Sequence, residues 1–106
     1  MKLLSIDYIP VHYFEALGMV KGAVVQTKNF GKDFMAGMKT LVGGEIAGYT
    51  EMLAEARQSA TDRLEEDARA MGADAVLNVR YTSSAVMQGA AEVTAYGTAV
   101  RILGDD

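Results

Sequence analysis

The feature that most constrains this chain is a long amphipathic helix signature that ends at a glycine and runs straight into a strand. From Glu45 to about Met71, the residues Tyr49, Met52, Leu53, Ala56, Ala60, Leu64, Ala68 and Met71 fall on one stripe at close to the helical period. The opposite face carries Glu51, Glu55, Asp62, Arg63, Glu65, Glu66, Asp67 and Arg69. Arg63 can meet Asp67, and Glu65 can meet Arg69, as i,i+4 pairs worth a few tenths of a kcal/mol each. At ~1.5 Å per residue the helix is roughly 40 Å long. That exceeds the diameter of a compact domain of about 100 residues, so something else must cover part of it.

Gly72 stops this helix, and Val76 to Thr82 then alternates, with Leu77, Val79 and Tyr81 apolar against Asn78, Arg80 and Thr82. Ser83 to Gly89 reads as the turn of a hairpin, and Glu92 to Ile102 as the last strand. Val93 and Ala95 share one face there, while Val100 and Ile102 belong to the other register. A bulge at Gly97 would realign them. Upstream, Pro10 marks a turn or the start of a strand. Tyr13 to Thr27 reads as a strand, with a bulge expected near Gly18 or Gly22. Asn29 is an N-cap for a short helix to about Val42, with Phe30, Phe34, Met38 and Leu41 as its apolar stripe and Gly37 as a point of close packing. Gly43-Gly44 then ends that helix. The expected order is strand, helix, helix, strand, strand in a single domain spanning residues 1–106, an α+β fold with a small, mainly antiparallel sheet on one long helix.

Composition narrows the function. A net charge of −4 and the lack of any Lys/Arg cluster disfavour nucleic acid and anionic membrane surfaces as partners. No apolar run reaches the ~18 residues of a membrane-spanning helix. The start of the chain meets charge too early for a signal peptide. With no cysteine, a disulfide framework is excluded, and the expected location is the cytoplasm. A thin sheet with open edges points to self-association.

Leu17-Gly18-Met19-Val20-Lys21-Gly22, Gly43-Gly44-Glu45 with Gly48-Tyr49, Glu55-Ala56-Arg57, Gly72-Ala73-Asp74-Ala75-Val76 and Gly97-Thr98-Ala99-Val100 together resemble the YbjQ-like family of small bacterial and archaeal proteins, often labelled heavy-metal-binding. The resemblance spans Leu3 to Leu103. It implies a dodecin-subunit-like β-α-β-β fold assembled as a homopentameric ring, and it implies no particular activity. Many relatives carry Arg where this chain has Glu45, so a role of that arginine does not transfer.

The residues themselves offer poor ligands for a soft metal, which favours thiolate and imidazole: there is no cysteine, and His12 is the single histidine. His12 with Asp7 and Glu15 would make a harder site. Met35 and Met38 form an M-x-x-M pair suited to copper(I), although methionines on such a stripe ordinarily fill a core. A site on a ring axis, one ligand per subunit, stays open. For catalysis there is no cysteine nucleophile and no phosphate-binding loop. Gly43-Gly44 resembles an anion-cradling turn, but Glu45 at its mouth repels an anion. Asp74 reads as an acceptor of backbone N–H bonds and Tyr49 as a packing residue. Asn78 and Arg80, with Thr98 from the last strand, are the sharper candidates, as the lining of a polar pocket between subunits.

Three functions therefore stand in order: a homo-oligomeric binding module with a ligand at subunit interfaces; a structural ring without one; and an enzyme with an inter-subunit site around Glu45, Tyr49 and Asp74. No cofactor is named by these residues.

Overall fold

The computed structural model describes residues 1–10, 12–27 and 41–105, with side chains left out of the description at 41–47 and 105. The elements are β1 (Lys2–Leu3), β2 (His12–Thr27), α1 (Leu41–Ala70), β3 (Ala75–Met87) and β4 (Ala90–Asp105). They form one four-stranded sheet in the order β1-β3-β4-β2. β4 is antiparallel to both β2 and β3, and β1 adds a two-residue parallel edge to β3. The α+β class, the single long helix and the mainly antiparallel sheet are as the sequence leads one to expect.

One face of the sheet is covered by α1. Met52, Ala56, Ala60, Leu64 and Ala68 are buried, and Val20, Val24, Val76, Val93, Ala95 and Ala99 meet the helix from the sheet. Four-residue spacing advances about 40° per step around a helix of 3.6 residues per turn, so the buried stripe winds slowly over a sheet that itself twists. The contact is close because it is made of small residues. At Gly22 on β2, an added Cβ would overlap the Ala60 carbonyl oxygen and the Leu64 amide nitrogen, and would lie 2.8 Å from Arg63 Cβ. Strand backbone and helix backbone touch there.

The same closeness protects the outer edge of β2. The Lys21 N–H donates to Asp67 Oδ2 at 3.2 Å, and Arg63 Nη1 donates to the Ala23 carbonyl at 2.5 Å. Helix side chains thus occupy edge groups that would otherwise invite another strand. Arg63 and Asp67, expected to pair with each other, are spent on this edge instead. The Glu65–Arg69 pair does form, at 3.1 Å.

The opposite face is covered at one end by the chain's own start. β1 lies on one edge of the sheet and β2 on the other, so the segment between them, described at residues 4–10, crosses the sheet, and Ile9 packs with Ala75, Leu77 and Val100, flanked by Leu4, Phe14 and Ile102. This crossover corrects the reading of the last strand. β4 runs past Gly97 in continuous register with β2, Val20↔Gly97 and Met19↔Thr98. Val93, Ala95 and Ala99 face the helix while Val100 and Ile102 face the N-terminal segment, so the shift of apolar phase marks burial on both faces and not a bulge.

The bulge lies across the ladder in β3, where the register passes from Leu77↔Thr98 to Arg80↔Tyr96. Asn78 there has φ 57°, a left-handed conformation that asparagine tolerates better than most residues. Gly97 makes room for it, since a Cβ at Gly97 would lie 2.7 Å from Val76 Cγ1 and 2.8 Å from the Leu77 carbonyl oxygen. Leu77 consequently points away from the helix and Val79 toward it, so the two do not share a face as their alternation suggests. The bulge expected near Gly18 is present: the register with β4 slips between Ala16 and Gly18, and Gly18 has φ 145°.

Three further expectations change. β3 continues to Met87, so Ser83 to Met87 are strand and the turn is confined to Gln88-Gly89. Gly43-Gly44 lie inside α1 and do not end a helix. β1 is an addition, too short to show as a pattern. Asn29, Phe30, Phe34, Gly37 and Met38 of the expected short helix lie outside the described residues.

Two substitutions test the layer contact. Gly22→Ala should cost about 3 kcal/mol or more, because its Cβ meets helix backbone that cannot yield. Gly104→Ala, which meets nothing within 4 Å, should stay within about 0.5 kcal/mol. Equal melting temperatures would show that helix and strand are not in contact at this point. Likewise Ala60→Glu, at a fully buried position, should unfold or strongly destabilise the protein, and the exposed Glu66→Ala should change little.

Candidate functional site

The β3 bulge builds the site. The left-handed turn at Asn78 resets the alternation of β3, so Arg80 projects on the side away from α1, beside Tyr96, its partner in β4. Thr98 and its β2 partner Met19 lie on the same side. Met19, Asn78, Arg80, Tyr96, Gly97 and Thr98 together line a concavity of about 500 Å³. Its floor is sheet, and the N-terminal crossover stands beside it.

Arg80 is held in place. Its Nη1 donates to the Ser5 carbonyl at 3.0 Å and to its neighbour Val79's carbonyl at 3.3 Å, and Nη2 lies 3.5 Å from Asn78 Oδ1. Around it the N-terminal segment is fixed by backbone bonds: Asn78 N–H to the Ile6 carbonyl and Val79 N–H to the Leu4 carbonyl, each 2.9 Å. These acceptors orient the guanidinium without neutralising it, and Arg80 makes no ion pair among the described residues.

Of the residues singled out from sequence, Asn78, Arg80 and Thr98 come together. Met19, Tyr96 and Gly97 join them unforeseen. The i,i+2 spacing of Tyr96 and Thr98 in a strand was the available signal, hidden by the phase shift read at Gly97. Asp74 is elsewhere and structurally engaged: its Oδ2 accepts the Ile102 N–H at 2.9 Å, one step before the start of β3. Tyr49 is half-buried near the other end of α1, more than twenty residues of chain away, which along a helix is ~30 Å. One chain does not unite Tyr49 with Asp74. The Glu45 side chain lies outside the described residues, as do Met35 and Met38. Among the described residues none that is polar or charged is buried as a whole.

A family model described as "Putative heavy-metal-binding" matches residues 1–103. The UPF0145 protein of Clostridium novyi (strain NT) is 56% identical over 103 residues, spanning 97% of this chain and 100% of that one. The UPF0145 protein of Methanosarcina acetivorans is 55% identical over 89 residues, 84% of each chain. A crystal structure of a DUF74-family protein of unknown function from Pediococcus pentosaceus superposes with a TM-score of 0.70 at 17% identity, over 97% of this chain and 98% of that one. At that identity the likeness concerns the fold alone.

The donors among the described residues do not fit a heavy metal. Among the described residues no three of His, Cys, Asp and Glu gather where an ion would sit. Of the sequence trio Asp7, His12 and Glu15, the last is paired with Arg101 at 2.6 Å. The concavity itself offers one thioether, Met19, against the positive charge of Arg80. Calorimetric titration with zinc should therefore show weak binding only, most of it lost in His12→Ala. Tight stoichiometric binding that survives His12→Ala would reveal ligands outside the described residues.

Proposed function

We propose a function for a chain that belongs to the YbjQ-like family, whose members carry the name UPF0145: it is a cytoplasmic, homo-oligomeric binding module that holds a small ligand against Asn78, Arg80 and Thr98, with a second copy of the chain closing the site. The observation that carries this reading is the convergence of three polar side chains from two strands on one concavity of ligand size, on the sheet face that α1 leaves open.

Surfaces left without cover support the second copy. Met19 is 73% exposed beside the site, and Val25, Val86, Met87 and Leu103 are each more than half exposed. Beyond Val79, nothing among the described residues pairs with the outer edge of β3, whereas the edge of β2 is engaged by α1 at Lys21 and Ala23. The molecule is also stretched: its radius of gyration is 17.5 Å, against ~13 Å for a compact domain of this length. In the finer architecture we propose, β2-α1-β3-β4 is arranged as in a dodecin subunit and copies form a ring. The number five rests on the family resemblance.

Sedimentation equilibrium at micromolar concentration should give a mass several times 11.3 kDa. A stable folded monomer would overturn the oligomeric part of the proposal. Native mass spectrometry of gently purified protein should show mass in excess of the bare oligomer. A ring with no added mass, and no small molecule that binds it, would favour a purely structural role.

A further inference from the structure

We infer that the concavity takes the anionic oxygen end of a small molecule, a carboxylate or a phosphate monoester, with an apolar group of the same molecule lying against Met19 and Tyr96. This rests on the ligand-binding reading above and adds the chemical class.

The first reason is charge. Arg80 is the one ionised residue of the lining, and no carboxylate shares the concavity with it. An unneutralised guanidinium at the mouth of a cavity opposes a cation and favours an anion. The protein as a whole carries −4, so this preference is local, made by contact and not by the net field.

The second reason is which edge of the guanidinium is free. Both of its backbone acceptors, Ser5 and Val79, engage Nη1. The edge formed by Nε and Nη2 is the side-on fork that matches two oxygens of a carboxylate or phosphate. Among the described residues it carries only the 3.5 Å contact to Asn78 Oδ1, which is at the outer limit of a hydrogen bond. The protein has thus used the other edge to fix the plane of the fork and left the fork itself available. Thr98 and Asn78 add neutral groups able to donate to a remaining oxygen.

The third reason is the remainder of the lining. Met19 supplies a flexible thioether, and Tyr96, 36% exposed as a residue, supplies a ring. A side chain of each kind suits an apolar or aromatic body attached to the charged end.

The test is amide NMR on the full chain, titrated at constant ionic strength with benzoate, phenyl phosphate, benzyl alcohol and benzylamine. Benzoate or phenyl phosphate should move the Asn78, Gly97 and Thr98 amide signals, with benzyl alcohol and benzylamine at least about tenfold weaker. Response to one of the two anions alone identifies the source of the oxygens, and response to both establishes the shared chemistry. Arg80→Lys keeps the charge but lacks the fork, and should weaken anion binding about as much. Because that change also loosens Ser5, Thr98→Val provides a second variant, expected to weaken anions and leave benzyl alcohol unaltered. If benzyl alcohol or benzylamine moves these amides as strongly as benzoate, the anion inference is overturned while the binding reading stands. If none of the four moves them, both fall.

Discussion

Everything in this fold depends on how closely α1 lies on β2. Where Gly22 faces Ala60 and Leu64, the absence of a Cβ lets two backbones meet, and the alanine stripe of the helix keeps the layers close along their length. Such a contact buries less apolar area per residue than a core of large side chains, and gains instead from dense packing. It also places Arg63 and Asp67 within reach of the Ala23 carbonyl and the Lys21 N–H, so the same approach that builds the core occupies the middle of one sheet edge.

The helix occupies one face, and the other face is divided. At one end the N-terminal crossover buries Val100 and Leu77 beneath Ile9. Further along, past the Asn78 bulge, that cover stops and the concavity begins. The bulge joins the two halves: its free amides take the Ile6 and Leu4 carbonyls, which anchors the crossover, and its reset of strand phase turns Arg80 onto the open face. A polar residue in a left-handed conformation, opposite a glycine that a larger residue would displace, is a costly local arrangement of the kind that functional sites retain.

The chemistry of that open face differs from what the family's description suggests. A heavy-metal site needs soft or imidazole donors gathered around a point, and the described residues supply an oriented cation in a partly apolar hollow. These environments select opposite charges. The proposed anionic ligand follows from the residues of this chain, and family membership, which rests on identity along nearly the whole chain, does not by itself decide between them.

Some of this was legible in the residues alone. The amphipathic period of α1, its stop at Gly72 and the period-two runs around it settle element types, because repeated apolar spacing over many residues admits few structures. The glycine at the β2 slip and the acceptor habit of Asp74 were also visible as residue types, although their partners, Ala99 in β4 and the Ile102 N–H, are supplied by the sheet. Tertiary structure alone decided the rest. Leu77-Asn78-Val79-Arg80-Tyr81 alternates cleanly as text, and only pairing with β4 reveals that one residue is looped out and the faces exchanged. Val100 and Ile102 looked out of phase until the N-terminal segment was seen to bury them from the other side. Met19 and Tyr96 joined Arg80 through register between strands far apart in sequence. A side chain's face depends on which strand lies opposite and where the ladder slips, and that is a relation between segments which no single segment contains.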